Sequence, residues 1–163
     1  MASITIEYMI MIPLLILQIF LFPYAASIIM DGWVDSRQTL ALQEVASNLG
    51  SSIQQLYSSL NHTTIKAGVV TNTLSLPLFI EGHAYTGTGV LTAVSDSEYG
   101  SSKVLEVTLT LKGTQITSSY SVTLGESATW LPSTFYSNAT GSGIAAHKFA
   151  DDTIQLYFIP LEV

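Results

Sequence analysis

The sequence contains no cysteine and few charged side chains. Without cysteine there is no disulfide, no thiolate nucleophile and no thiolate metal ligand. Charged residues make up 10 % of the chain, against about 25 % in an ordinary soluble domain. Lysine and arginine total 5 against 12 acidic residues, for a formal net charge of -7. Because nucleic-acid binding needs a concentrated positive surface, nucleic acid is not an expected partner.

Motifs of catalytic and cofactor sites are also missing from the sequence. Asp151 and Asp152 are adjacent, but no other oxygen ligands follow at metal-site spacing. "TGTG" at 86–89 lacks the helix and lysine of a phosphate-binding loop, and no serine lies in a nucleophile-elbow pattern. The three histidines have no ligand-like spacing: His62, His83 and His147. We therefore expect no enzyme activity, no bound metal and no cofactor.

The first feature that is present is an uncharged segment long enough to cross a membrane. Residues 8 to 30 carry no formal charge, and 23 helical residues span a hydrocarbon core of about 30 Å. Gln18 is the only strongly polar side chain in it, and Trp33 follows where an interfacial aromatic would lie. Pro13 and Pro23 are compatible with a membrane helix. The segment predicts a transmembrane or signal-anchor helix.

A cleaved secretory signal is the alternative interpretation of the same segment. Such a signal has a basic N-terminal region, a shorter apolar core and a small-residue cleavage site after that core. No basic residue precedes Arg37, and "YAAS" at 24–27 only partly matches a cleavage site.

The helical pattern continues beyond the uncharged segment. Apolar residues recur at three- and four-residue steps, which is typical of one buried helix face: Leu42, Val45, Ala46, Leu49, Ile53, Leu56, Tyr57 and Leu60. Polar residues fill the other face. A helix from about Ser3 to Leu60 would be roughly 85 Å long. We expect its second half to pack on the rest of the chain.

After Asn61 the pattern changes to the period of two that is typical of strands. Leu105 to Leu111 alternate apolar and polar residues, and the alternation resumes from Ile116 to Leu124 after a turn at Lys112 and Gly113. This pattern predicts an antiparallel hairpin with one buried face. Residues 137–148 are predicted to form a loop, and residues 153–163 a last strand that completes either its own sheet or a neighbour's.

The predicted fold is therefore α+β, with a long N-terminal helix and a small antiparallel sheet or β-sandwich. We place the stalk at residues 1–62, of which 3–30 span the membrane, and a β-rich head at residues 63–163. Two N-glycosylation sequons fall at predicted breaks, at Asn61 ("NHT") and Asn138 ("NAT").

The first residues carry a recognisable motif, "A|SITIEY" from Ala2 to Tyr8, in front of a long apolar run. A small residue, four further residues and then Glu-Tyr resemble the processing site of class III signal peptides, found in prepilins of the type IV pilin superfamily. "EYMIMIP", with proline six residues after the glutamate, is most similar to the Tad branch and its TadE-like pilins. The helix and β-rich head are similar in architecture to archaeal type IV pilins, some with Ser/Thr-rich, N-glycosylated heads.

This resemblance implies cleavage between Ala2 and Ser3, which makes Glu7 the fifth residue of the mature chain. Pilins place at that position a glutamate that pairs with the free amino group of a neighbouring subunit. A carboxylate and an ammonium that face each other in a dry core offset each other's desolvation and fix axial register. Pro13 and Pro23 would mark kinks or melted turns of the packed stalk.

The sequence departs from the family pattern before the cleavage site. Class III leaders carry basic residues there, whereas only Met1 and Ala2 precede the site. Either the true start lies upstream, or Met1 belongs to an already processed chain, in which Glu7 is seventh. Glu7 as an interfacial charge that anchors a membrane helix is a further interpretation.

The function that the resemblance implies is that of a structural subunit, a pilin, in an extracellular filament that serves adhesion. The implied partners are other copies of the chain, a prepilin peptidase, an assembly ATPase, a membrane platform protein, membrane lipid before assembly, and cell or abiotic surfaces. A TadE-like minor pilin and a single-pass membrane protein with a β-sandwich binding module are the alternatives. The composition and the sequons favour a thermophilic archaeon.

Overall fold

The computed structural model describes residues 2–96 and 100–159, with side chains described for 9–94 and 102–159. The chain divides into two compact units, Met1–Arg37 and Gln38–Val163. The first unit is helical in its described residues. The second contains the end of the same helix and all of the described strands.

One helix, α1 (Ala2–Leu60), runs without a break past Pro13 and Pro23. Its residues from Gln38 onward belong to the second unit, where its apolar face is buried. All eight apolar positions predicted for that face lie in the hydrophobic core of this unit, which confirms the sequence prediction: Leu42, Val45, Ala46, Leu49, Ile53, Leu56, Tyr57 and Leu60. Close packing is visible at Gly50, because a side chain there would collide with the ring of Tyr120 and with Val122.

In the described residues eight strands follow the helix: β1 (Gly68–Thr73), β2 (Tyr85–Asp96), β3 (Gly100–Leu111), β4 (Thr117–Leu124), β5 (Ala128–Trp130), β6 (Thr134–Tyr136), β7 (Gly143–Lys148) and β8 (Ile154–Ile159). They form two four-stranded sheets, in the orders β1-β7-β8-β5 and β4-β3-β2-β6. All pairs are antiparallel except β5 and β8. The predicted α+β fold, a long helix followed by small, mainly antiparallel sheets, is confirmed.

The predicted hairpin is strands β3 and β4. Leu105 pairs with Val122 and Leu109 with Ser118 across the ladder. The turn includes Gly113, whose φ of 82° lies in the left-handed region that favours glycine. The alternate leucine and valine side chains of β3 are fully buried, as the period of two predicts.

The prediction of a loop over 137–148 is wrong for its second half. Turn residues occupy 137–142, and Gly143–Lys148 then form β7. The segment "GIAAHK" is rich in small residues and has no clear alternation. Its strand conformation is imposed by two neighbours, because β7 lies between β1 and β8 and pairs with both.

The last described strand completes a sheet of its own chain. β8 lies between β7 and β5, and it pairs with β7 along its whole length and with β5 from Ile154 to Leu156. Ile154, Leu156 and Phe158 point into the core and are fully buried. The predicted strand extended to Val163, and residues 160–163 lie outside the described part.

A nearly buried lysine joins β7 to the end of the helix. The Nζ of Lys148 donates a hydrogen bond to the carbonyl oxygen of His62 (3.3 Å) and lies 3.1 Å from Oδ1 of Asp152. Lys148 is only 2 % exposed, so the pairing offsets part of the desolvation of its charge. The contact holds residues just after α1 against the first sheet.

Candidate assembly surface

The most exposed apolar surface of the chain is the part of α1 from Met9 to Val34, here called the apolar belt. Its large hydrophobic side chains are all solvent-exposed, and it is apolar all round the helix. A helix of this kind is stable only when lipid or other helices surround it. The helix is long and apolar enough to cross a membrane, so the sequence prediction of a membrane-spanning segment agrees with the structure.

Charged residues begin in the last turn of the belt. Asp31, Asp35 and Arg37 follow Met30, and all three are exposed. Trp33 lies among them and is 73 % exposed. An aromatic ring beside charges is the usual composition of a membrane–water interface. This end of the belt therefore suits the boundary between hydrocarbon and water.

The side chains of the predicted processing motif lie outside the described residues. The backbone of α1 is helical from Ala2, but the side chains of Ala2, Ser3 and Glu7 are not described. Cleavage between Ala2 and Ser3 and the pairing of Glu7 remain predictions.

The two belt prolines lie inside continuous helix. Proline has no N–H, so Pro13 and Pro23 cannot donate to the carbonyl groups of Met9 and Ile19 one turn earlier. On one side of the belt a shallow apolar groove is lined by Pro13, Ile16, Leu17, Phe20, Leu21 and Tyr24. Kinks or melted turns of the packed stalk remain a prediction, because they concern an assembled state.

Both predicted glycosylation sequons are accessible. Asn61 is exposed in the turn directly after α1, and Asn138 is exposed in the turn after β6. A glycan at either position would extend into solvent without displacing core side chains. Attachment of a glycan at Asn61 and Asn138 stays a prediction.

The β-rich unit presents an apolar loop that the sequence analysis did not single out. Leu78 and Phe79 are each more than half exposed, although the backbone before them is held firmly. The Oη of Tyr85 donates to the carbonyl oxygen of Pro77 (2.7 Å), and the Oγ of Ser137 donates to that of Leu78 (2.8 Å). The run "LPLFI" was visible in the sequence, but its exposure depends on these distant hydrogen bonds.

The tyrosine that holds this loop leads to a prediction for alkaline pH. Burial raises the pKa of Tyr85 to about 12, from an ordinary value of 10.0. Because the unfolded chain ionises first, stability is fully present below pH 10 and is lost as the pH rises toward 12, by roughly 3 kcal/mol in total. We expect urea unfolding between pH 9 and 12 to show this loss of unfolding free energy in the native chain. The Tyr85→Phe variant should lose less stability over the same pH range, because it lacks the ionising phenol. Equal pH slopes for both proteins would contradict it.

Groups that bind metals are not assembled in the described part of the chain. No cluster of three His, Asp or Glu side chains occurs among those residues. His62, His83 and His147 make separate contacts, with Thr64 Oγ1, the Lys112 carbonyl oxygen and the ring of Phe149 respectively.

Comparison of the chain with models of protein families, with characterised proteins and with solved structures finds no match. The features of the chain that bear on its function are therefore the apolar belt, the N-terminal motif and the β-rich unit.

Proposed function

We propose that the protein is the structural subunit of a type IV pilus-like filament, assembled through its N-terminal helix. The observation that carries the proposal is the apolar belt of α1. Met9 to Val34 exposes aliphatic and aromatic side chains on every side, while the same helix is amphipathic from Gln38 onward and packs into the β-rich unit. In a bundle of such helices the belt would exchange lipid for other belts and stay out of water.

In this proposal the chain is stored in the cytoplasmic membrane, processed by a prepilin peptidase and extracted by an assembly ATPase with a platform protein. The β-rich units form the outer layer of an extracellular filament and contact surfaces or cells. Support for this scheme comes from "A|SITIEY" and its resemblance to prepilins. Glycans at Asn61 and Asn138 would lie on the outside.

A membrane-anchored binding module is the second candidate. The rigidly held and exposed Leu78 and Phe79 favour it, because preorganised apolar side chains are typical anchors of a binding surface. A TadE-like minor pilin at a filament tip is a variant of the first candidate. The three candidate functions predict different amounts of this protein in filaments.

The test is N-terminal sequencing and intact-mass measurement of material sheared from cells. We expect filaments dominated by this chain, beginning at Ser3, with extra mass where glycans are attached. Retention in the membrane fraction with no filament would support the anchored module, and trace amounts in filaments of another chain would support the minor pilin.

The role of Glu7 is tested by substitution with a matched control. Replacing Glu7 with glutamine removes the carboxylate that would pair with a neighbour's amino group, so we expect filament yield to fall at least tenfold while membrane insertion is kept. Glu44→Gln makes the same change on the exposed, polar side of α1 and should leave the yield unchanged. Equal yields from both variants would contradict the pairing role and leave Glu7 as an interfacial anchor.

A further inference from the structure

Two strand edges of the β-rich unit, on β1 and on β2, are open and are suited to pairing with each other. β6 covers β2 only at Thr86–Thr88, so no described strand pairs with β2 from Val90 to Asp96 on that side. β1 is an outer strand of the first sheet and pairs only with β7 among the described strands. An open edge exposes a row of unpaired N–H and C=O groups that can accept another strand.

The outward-facing backbone groups of β2 can be assigned from its hydrogen bonds. The N–H of Ser137 donates to the carbonyl oxygen of Tyr85 (3.0 Å), so the backbone of Tyr85 faces the β6 side. The alternation of an antiparallel strand then turns Leu91 and Ala93 the same way. Their N–H and C=O groups point to the open side, while those of Thr92 face β3.

The same assignment holds for β1. The N–H of Phe149 donates to the carbonyl oxygen of Thr153, so the backbone groups of Phe149 face the β8 side. Going back along β7, every second residue also turns its backbone groups toward β8, and the residues between them turn theirs toward β1. By register, Val69, Thr71 and Thr73 turn their backbone groups away from β7. This edge offers six residues to a new strand, and the uncharged open part of β2, residues 90–95, offers the same number.

Neither edge carries the usual protection. Natural edge strands are protected by charged side chains, proline or bulges, whereas residues 68–73 and 90–95 contain no charge and no proline. The first charged residue of β2 is Asp96, at the end of the strand. Exposed valines lie on both: Val69 (57 %), Val70 (40 %), Val90 (63 %) and Val94 (45 %). β4, an outer strand of the second sheet, has only serine and threonine at its exposed positions. Valines therefore distinguish β1 and β2 from β4.

The two edges lie on opposite sides of the β-rich unit. β1 and β5 are the two outer strands of the first sheet. Trp130 of β5 packs directly against Gly89 of β2, so the open part of β2 begins on the β5 side. One molecule therefore cannot pair its own two edges. Two molecules can, and such a head-to-tail contact between different patches leaves one edge of each kind free for the next molecule.

We propose that β1 of one copy pairs with residues 90–95 of β2 in the next copy, which joins the β-rich units into a continuous outer layer. The inference rests on the proposed filament function and specifies its lateral contact. The absence of charge on both edges suits contact between copies that each carry a net charge of -7, because no like charges meet at the strand pairs.

The test uses the natural absence of cysteine. A chain with Thr71→Cys and Thr92→Cys carries one thiol on each edge, both at exposed positions. Treatment of sheared filaments with a short bismaleimide should give a ladder of dimers, trimers and higher products. Each single-cysteine variant should give no ladder, and neither should Thr71→Cys combined with Thr123→Cys on β4.

A proline substitution on the open edge of β2, compared with a threonine at the same position, tests the backbone pairing. Ala93→Pro removes an N–H on the open side and leaves the groups facing β3 in place, so we expect at least a tenfold loss of the ladder. Ala93→Thr keeps the N–H and should retain it, and the two proteins should have the same circular dichroism spectrum.

The outcomes separate this inference from the filament proposal. Filaments that form normally but give no ladder, or an equal ladder with Thr123→Cys, would overturn the strand pairing and leave the filament function intact. Cross-links to a protein of different mass would show that another protein, and not a second copy of this chain, pairs with the open edge, and would overturn the inference. Absence of filaments altogether would overturn both.

Discussion

Replacing Phe158 with alanine is expected to cost about 3–5 kcal/mol of unfolding free energy, the usual range for a buried phenylalanine. Phe158 is fully buried on β8, which lies inside the first sheet. Its ring packs edge-on against Trp130 (4.9 Å between centroids) and Phe135 (5.8 Å). Truncation would remove contacts from both sheets, because Trp130 belongs to β5 and Phe135 to β6. The unfolding free energy of an ordinary domain is about 5–15 kcal/mol, so this substitution would remove a large part of it.

The measurement is denaturant unfolding of the full chain in detergent, followed by tryptophan fluorescence. Trp33→Phe in both proteins leaves Trp130 as the reporter. Tyr157→Ala is the control, because Tyr157 is the next residue on β8 but points to the other face and is only partly buried. It should cost less than half as much. A loss below about 1 kcal/mol for Phe158→Ala would show that Phe158 does not join the sheets.

Replacing Leu17 with arginine is expected to abolish filaments while leaving the chain in the membrane. An arginine at the centre of a membrane helix costs about 2.5–3.5 kcal/mol, and each leucine, isoleucine or phenylalanine contributes about -0.3 to -0.6. The many apolar residues of the belt therefore outweigh one arginine during insertion. In a dry bundle of belts, a charge without a partner costs about 3–5 kcal/mol per subunit. We expect at least a hundredfold fall in sheared filaments.

Leu40→Arg is the control for this substitution. Leu40 is on the same helix and is 66 % exposed, but it lies beyond Arg37, outside the apolar belt. It should reduce filament yield by a few-fold at most. Normal filament yield from Leu17→Arg would show that the belt is not buried between subunits, and loss of the chain from the membrane would show that insertion, not assembly, is limiting.

The sequence was most informative where one physical pattern dominates. The eight-residue apolar face of α1 and the alternation of β3 and β4 each bury one side, and burial at a fixed period is visible without a structure. Strands β1, β2, β5 and β6 were not predicted, and β7 falls in a segment that was predicted to be a loop. β2 contains "TGTG", which is a weak strand sequence that β3 stabilises by pairing along its whole length. β5 and β6 have three residues each, too few to show a period.

The candidate functional surfaces also differ in whether the sequence alone predicts them. The apolar belt was predictable because lipid-like composition is a property of the residues alone. The open edges of β1 and β2 were not, since an edge is defined by which strands fail to cover it. Likewise, the loop at Leu78 and Phe79 is apolar in sequence and would ordinarily be assigned to the core, but hydrogen bonds from Tyr85 and Ser137 hold it at the surface.

The central position of β8 has a consequence for the order of folding during synthesis. The first sheet cannot form its β7-β8-β5 arrangement until Ile154–Ile159 has left the ribosome. By then α1, more than 90 residues earlier, has long been available to a membrane insertion machinery. Long-range pairing of this kind is slow. Under the proposed function, insertion of α1 therefore precedes folding of the β-rich unit, and the unfolded chain would be tethered to the membrane while its strands find their partners.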